Sequence, residues 1–176
     1  YTFKSILDTE FSGDVLFSPC MGWNAYQLGF YNSDFTHMVS TDVIPQVVQN
    51  ANNLHTEYTQ YVAQDTYQKL FEQDTKTVDY YLCPSEQLDA RHNFVAKYSN
   101  SVDAVLFCPP YFDLELYPGT EQSTQSFPAY KDWLTGYWEQ TVQLCASVMK
   151  AGAKFGFIVS NYRNHNKVDT TISQDM

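Results

Sequence analysis

The chain has 176 residues, 44% of them hydrophobic and 17% charged, a balance that excludes intrinsic disorder and predicts one domain, residues 1–176, with a core of its own. Ten Lys and Arg against 20 Asp and Glu give a formal net charge of −10, which argues against holding nucleic acid by general phosphate attraction. No apolar run of about 18 residues occurs, so no membrane-spanning helix is expected.

Taken in order, Phe3 to Leu7 reads as a short helical lead-in, and Gly13 punctuates it. No basic-then-apolar leader is read here. Beginning on Tyr1 rather than Met, the chain reads as a fragment or a processed product. Asp14-Val15-Leu16-Phe17 is the first strong strand. It runs into the turn Ser18-Pro19-Cys20-Met21-Gly22-Trp23-Asn24 and then a helix from Ala25 to Tyr31. Strand, Gly-containing turn and helix form the nucleotide-binding start of doubly wound sheets, and Gly22 would let the backbone approach a ligand closely.

Thr36 to Thr41 predicts a second strand ending at Asp42, 20 residues beyond Gly22. An acid at that point accepts hydrogen bonds from ribose hydroxyls in such sheets. The plainer alternative is a solvated Asp before a helix that Pro45 opens. Pro45 to Val62 has helical spacing, with Val47, Val48, Ala51, Leu54 and Tyr58 on one face, and His55 reads as a surface or satisfied histidine. Asp65 to Glu72 reads as a further short helix. Thr77 to Cys83 is a third strand, followed by Pro84-Ser85-Glu86, where Ser85 suits the N-cap of a helix beginning near Glu86. Residues 89–101 read as a polar connection.

The apolar run Ala104 to Phe107 predicts a buried fourth strand, stopped by Cys108-Pro109-Pro110-Tyr111. Proline lacks a backbone N–H, so two in succession cannot continue a central strand. A stiff turn therefore holds an aromatic ring beyond the strand's carboxyl end, where open α/β sheets bind ligands. Phe112 to Gln125, with Pro118-Gly119, lacks periodicity and reads as a loop over that crevice, with Asp113 and Glu115 as acids in it. Pro128 to Met149 is the longest predicted helix; its stripe of Tyr130, Leu134, Tyr137, Trp138, Val142 and Cys145 reads as core. Ala151-Gly152 is a helix stop, and Lys154 to Ser160 is a fifth strand. The polar tail Asn164 to Asp169 reads as a flexible end or a loop. Five strands alternating with helices predict an α/β, mostly parallel sheet with helices on both faces. Cys20, Cys83, Cys108 and Cys145 show no Cys-x-x-Cys spacing and, with four scattered histidines, write no zinc site. They read as free thiols of a reducing, intracellular compartment.

The strand ending in Cys-Pro-Pro-Tyr resembles the strand–(Asp/Asn/Ser)-Pro-Pro-(Tyr/Phe) signature of S-adenosylmethionine-dependent DNA amino-methyltransferases. The longer run Cys-Pro-Pro-Tyr-Phe-Asp-Leu-Glu-Leu-Tyr, with Gln125-Ser126 and Trp133-Leu134, is similar to a phage- and virus-type branch reading Ser-Pro-Pro-Tyr-Phe-Asp-Leu-Glu. The departure is Cys108, where the family has Asp, Asn or Ser. The earlier turn resembles that family's cofactor loop, Asp-Pro-x-x-Gly-Trp-Gly: Pro19, Gly22 and Trp23 match, Ser18 replaces an acid and Asn24 a glycine.

The resemblance implies a Rossmann-like methyltransferase fold, whose complete sheet has seven strands, so that this chain would lack the last antiparallel pair. It implies S-adenosylmethionine as cofactor, held by Ser18, Pro19, Gly22, Trp23 and Asp42, with Ser85 or Glu86 at its adenine. It implies catalysis by Cys108, Pro109, Pro110 and Tyr111 on N6 of adenine or N4 of cytosine in DNA, and a host cytoplasm or virion as the setting. The acidic charge would then be met by a basic segment or protein partner outside this chain, or by a locally different cleft. Two alternatives stay open: a methyltransferase-like module without catalysis that serves structure or partner binding, and a methyltransferase for RNA, protein or a small molecule.

Overall fold

A computed structural model describes residues 2–64, 76–117, 121–163 and 169–176. The expected helix over Asp65 to Glu72 and the Pro118-Gly119 turn lie outside these residues. Five parallel strands form one sheet in the order β3-β2-β1-β4-β5: β1 (Val15–Ser18), β2 (His37–Asp42), β3 (Thr77–Leu82), β4 (Val102–Phe107) and β5 (Met149–Phe157). The protein is thus α/β and Rossmann-like. A short antiparallel pair, β6 (Tyr162–Arg163) and β7 (Asp169–Thr170), forms a separate ribbon and does not extend the sheet.

The apolar run in β4 follows from its position between β1 and β5 with both faces covered. Ala104 and Leu106 face a core shared with α1 (Thr2–Glu10) and α2 (Ala25–Tyr31), built on Leu7, Leu16, Tyr26, Phe30 and Met38. Val105 and Phe107 face the other core, with Phe17, Val39, Phe94, Trp133, Trp138, Cys145 and Val148. The period of two along a strand divides this one run between two hydrophobic layers. Helix α3 (Pro45–Gln64) lays Val47 and Ala51 against Met21.

Several local expectations shift. The connection over 89–101 contains two one-turn helices, α4 (Leu88–His92) and α5 (Phe94–Tyr98), because Phe94 and Tyr98 are buried in the core. Ser85 is not an N-cap: it lies within a 3₁₀ turn, Ser85–Gln87, and its hydroxyl bonds Thr141 at 2.8 Å. After α6 (Ser123–Ser126), the long C-terminal helix starts at Tyr130 rather than Pro128 and is interrupted. It runs as α7 (Tyr130–Trp133), a π turn over Leu134–Trp138, and α8 (Glu139–Val148). The wide turn admits both Tyr137 and Trp138 to the interior beside Trp133. At Gly136 a Cβ would lie 2.2 Å from the Phe127 ring, so the turn sits against an aromatic face that only glycine admits.

Strand β5 begins at Met149, straight out of α8, so Ala151-Gly152 is not a helix stop. Val102 pairs with Met149 but Ala104 with Lys154, so the intervening residues bulge out of β5, and Gly152 sits there at φ +83°. The signal that suggested a C-cap marks a bulge, since both need a left-handed glycine. Of the tail, residues 164–168 lie outside the described chain. The C-terminal end packs back on the sheet's core: α9 (Ile172–Asp175) buries Ile172 completely there.

Candidate functional site

β1 and β4 are neighbours whose following segments leave in opposite directions, β1 toward β2 and β4 toward β5. That reversal makes the crevice at their carboxyl ends the topological switch point of the sheet. A cavity of about 380 Å³ lies there. Its walls come from the segments following β1 (Pro19, Cys20, Gly22, Trp23), β2 (Asp42, Val43, Ile44), β3 (Cys83, Pro84, Ser85, Glu86) and β4 (Cys108, Pro109, Pro110, Tyr111). Phe112, Glu115 and Tyr117 add the wall above the β4 turn. Every residue expected at the site lines this cavity except Ser18. Ser18 closes β1, fully buried; its hydroxyl donates to the Cys20 carbonyl at 2.8 Å, and its own carbonyl accepts from Ser40 at 2.7 Å.

The loop after β1 is unusual in its backbone. Gly22, Trp23 and Asn24 are all left-handed, at φ +52°, +55° and +66°. Asparagine tolerates that region better than most residues, which explains how Asn24 can stand where the resemblance expects glycine. Trp23 has no such excuse, and 65% of it is exposed at the cavity mouth. A bulky residue held in a strained conformation with its ring in solvent is a mark of a ligand site rather than of packing. Gly22 is required for a nearer reason than ligand approach: a Cβ there would lie 2.3 Å from the Tyr26 ring.

Asp42 is tied to the main chain on both sides and is not the solvated acid of the plainer reading. One oxygen accepts from the Ile44 N–H at 3.0 Å, the turn into α3, and the other from the Met21 N–H at 3.2 Å, tying β2 to the β1 loop. Burial raises its pKa, and main-chain donors from Ile44, Met21 and Val43 pull it back. The carboxylate keeps acceptor capacity for a further donor. Glu86, on the 3₁₀ turn after β3, is treated differently: both of its oxygens are shut from solvent without a hydrogen-bond partner. Burial raises its pKa as well, against weaker opposition from its own N–H and from Arg91.

At the prolyl corner, the Cys108 thiol points toward the Pro109 carbonyl at 3.8 Å. Burial raises the Cys108 pKa and takes Cys20 to about 12, so both remain thiols near neutrality and neither is a ready nucleophile. Tyr111 is braced from outside the motif. Its hydroxyl accepts from the Ser160 N–H at 3.1 Å, and its ring meets Tyr162 edge-on with centroids 5.5 Å apart. Tyr162 also bonds Asp113, so the chain after β5 fixes the loop after β4. Across the mouth, the Tyr117 ring lies 5.9 Å from that of Trp23, and the Tyr117 hydroxyl donates to Glu115 at 2.7 Å.

Tyr26, Tyr117, Tyr137 and Gln122 also line the cavity, and none of them was expected at the site from the sequence. Tyr26 and Tyr137 are helical residues whose periodicity marks them only as core. The charge of the cavity is one-sided: Asp42, Glu86 and Glu115 line it, and no Lys, Arg or His does among the described residues. Among those residues no cluster of His, Cys, Asp and Glu could hold a metal ion, and no helix is long and apolar enough to cross a membrane. No protein-family model matches the chain, and no curated protein matches it.

Proposed function

We propose that the protein transfers a methyl group from S-adenosylmethionine to the exocyclic amine of a DNA base. The observation that carries this reading is that the prolyl corner, the Gly22-Trp23 loop and Asp42 share one cavity at the sheet's switch point. They come from three different strand ends, yet they are the pieces such a reaction needs in one place. Asp42 and Glu115 on the cavity wall suit a cofactor that carries a positive sulfonium and ammonium. When bound, that cofactor supplies an electrophilic methyl and departs as a neutral thioether.

The chain's own part is orientation. An aromatic amine is a poor nucleophile because its lone pair delocalises into the ring. The Pro109 carbonyl would accept one amine N–H, which favours a pyramidal nitrogen with its lone pair freed from the ring. Tyr111 stacks on the base, and its ring is held for that by Ser160 and Tyr162. Asp42 accepts from the ribose hydroxyls. The proton lost from nitrogen after transfer passes to water, since no strong base is needed at that stage. Cys108 is a weak second acceptor beside Pro109.

Labelled methyl transfer to unmodified DNA tests the proposal directly. Incorporation that is lost on Tyr111→Ala is expected. The Cys108→Ser change replaces a thiol with a better acceptor, and should hold activity or raise it by up to about tenfold, one hydrogen bond's worth; a fall would refute the account of position 108. A second reading is favoured by the acidic cavity wall and the net charge of −10: a small or cationic amine, rather than a polyanion, as acceptor. Cofactor binding with methyl transfer to a cationic peptide or polyamine, and none to DNA, would select it.

A further inference from the structure

The turn after β3 commits two of its polar groups internally. The Ser85 hydroxyl is held by Thr141 at 2.8 Å, and the Gln87 N–H donates to the Pro84 carbonyl at 3.1 Å. The Glu86 carboxyl, by contrast, is enclosed in the cavity wall with both oxygens unpartnered. A buried polar group without a partner is costly, and a charged one far more so. Its own N–H and Arg91 relieve it only in part. Arg91 on α4 is directed to Glu121 at 2.8 Å and to Gln87, and the Glu121 charge opposes its effect. The other titratable groups facing Glu86 are Cys83 on the preceding segment, with its pKa raised to about 11, and Tyr137 on the π turn, raised well above its ordinary value; both are uncharged near neutrality. Burial therefore favours the uncharged acid.

An uncharged carboxyl has one donor and one acceptor side by side, whereas a carboxylate has acceptors only. We propose that Glu86, as a neutral acid, reads the edge of a 6-aminopurine in both directions, its O–H donating to the ring nitrogen N1 and its C=O accepting from the exocyclic N–H. This rests on the methyltransferase reading of the cavity and goes beyond it by assigning the protonation state and both purine atoms. The Gln87 N–H is already used, and the Glu86 O–H offers N1 a donor directly beside the acceptor that the exocyclic N–H requires. A carboxylate would instead set a lone pair against the N1 lone pair. Binding of the adenosine group is therefore linked to one proton on Glu86. Affinity holds below its pKa in the free protein and falls above it, by up to about tenfold per pH unit.

The test is calorimetric titration of the whole chain with S-adenosylhomocysteine, a stable adenosine ligand, from about pH 5 to about pH 9. Wild-type affinity should decline across that range. Glu86→Gln carries a donor and an acceptor at every pH; it should bind within about threefold of the wild type's low-pH affinity and show no pH dependence. Glu86→Leu should lose at least about tenfold. The 1-deaza analogue, which replaces N1 by C–H, should bind at least about tenfold more weakly to the wild type, with a flat pH profile, and needs no variant to fold. A flat wild-type profile, a Gln variant as weak as the Leu variant, or a 1-deaza analogue bound as tightly as the parent would each overturn the assignment of Glu86 while leaving cofactor binding intact. No binding of S-adenosylhomocysteine at any pH would overturn the methyltransferase reading and this assignment with it.

Discussion

Asp103 and Glu86 are both carboxylates drawn into the protein, one at each end of the sheet, and the fold treats them in opposite ways. Asp103, on β4 near its amino end, accepts from the main-chain N–H groups of Asp14 and Val15 at 3.0 and 2.9 Å and from Lys150 at 2.7 Å. Burial alone would raise its pKa, but the hydrogen bonds from Lys150, Val15 and Asp14 outweigh it and the pKa is lowered. Gly13 allows the close approach, since a Cβ there would lie 2.2 Å from that of Asp103. Glu86, near the carboxyl end of β3, has no partner, and its pKa is raised. A carboxylate whose two oxygens are both answered by the protein is a structural tie between strands. One left unanswered at a cavity wall is answered by something from outside.

Breaking the tie should have the largest effect. Asp103→Ala leaves two main-chain donors and Lys150 without an acceptor and should cost about 3 kcal/mol by urea unfolding, with ligand affinity in the cavity unchanged. The pH signs should also separate the two acids. A lowered folded pKa gives stability that is present above the unfolded value of about 4 and lost as pH falls through the folded pKa, so Asp103→Ala should flatten the acid limb of the stability curve. A raised folded pKa gives stability present below the unfolded value of about 4.3 and lost as pH rises through the folded pKa. Glu86→Gln should therefore stabilise the ligand-free protein by about 1–2 kcal/mol at neutral pH, a gain that vanishes in acid. Equal melting temperatures for wild type and Glu86→Gln at neutral pH would mean the carboxyl is not orphaned in solution.

The smallest stability effect sharpens the comparison at the cavity mouth. Trp23→Gly removes an exposed ring and relieves a left-handed backbone, so stability should hold or rise by less than about 1 kcal/mol. Ligand affinity should nonetheless fall by about tenfold if the strain is retained for binding. A variant that loses stability instead would show that Trp23 packs more than it recognises.

Strands β1 and β4 were legible because each is a largely apolar run bounded by a turn residue, and β4 the more so because Pro109-Pro110 ends it abruptly. The Gly22 loop, Asp42 and the prolyl corner were legible as separate motifs because each sits at a strand's carboxyl end. Glu86 was visible only as one of two polar residues after β3; its neighbour Ser85 has the same local credentials. The choice between them depends on Thr141, more than fifty positions away, which takes the Ser85 hydroxyl. The break of the last long helix at Leu134–Trp138 and the bulge at Gly152 escaped detection because a π turn and a bulge each insert residues without changing composition. Likewise nothing local to the end of the fifth strand gave a sign that Ser160 and Tyr162 would hold Tyr111.

By itself, the sequence determined the alternation of strands and helices and the stiffness of the corner at Cys108-Pro109-Pro110-Tyr111, because hydrophobic period and missing proline donors act within a few residues. Only the tertiary structure decided which strand ends meet in one cavity, that Ser18 is closed off from it, and that Asp103 is satisfied while Glu86 is not. Those outcomes depend on strand order and on partners distant in the chain, and a hydrogen bond is made or withheld by position in space, which residue type does not encode.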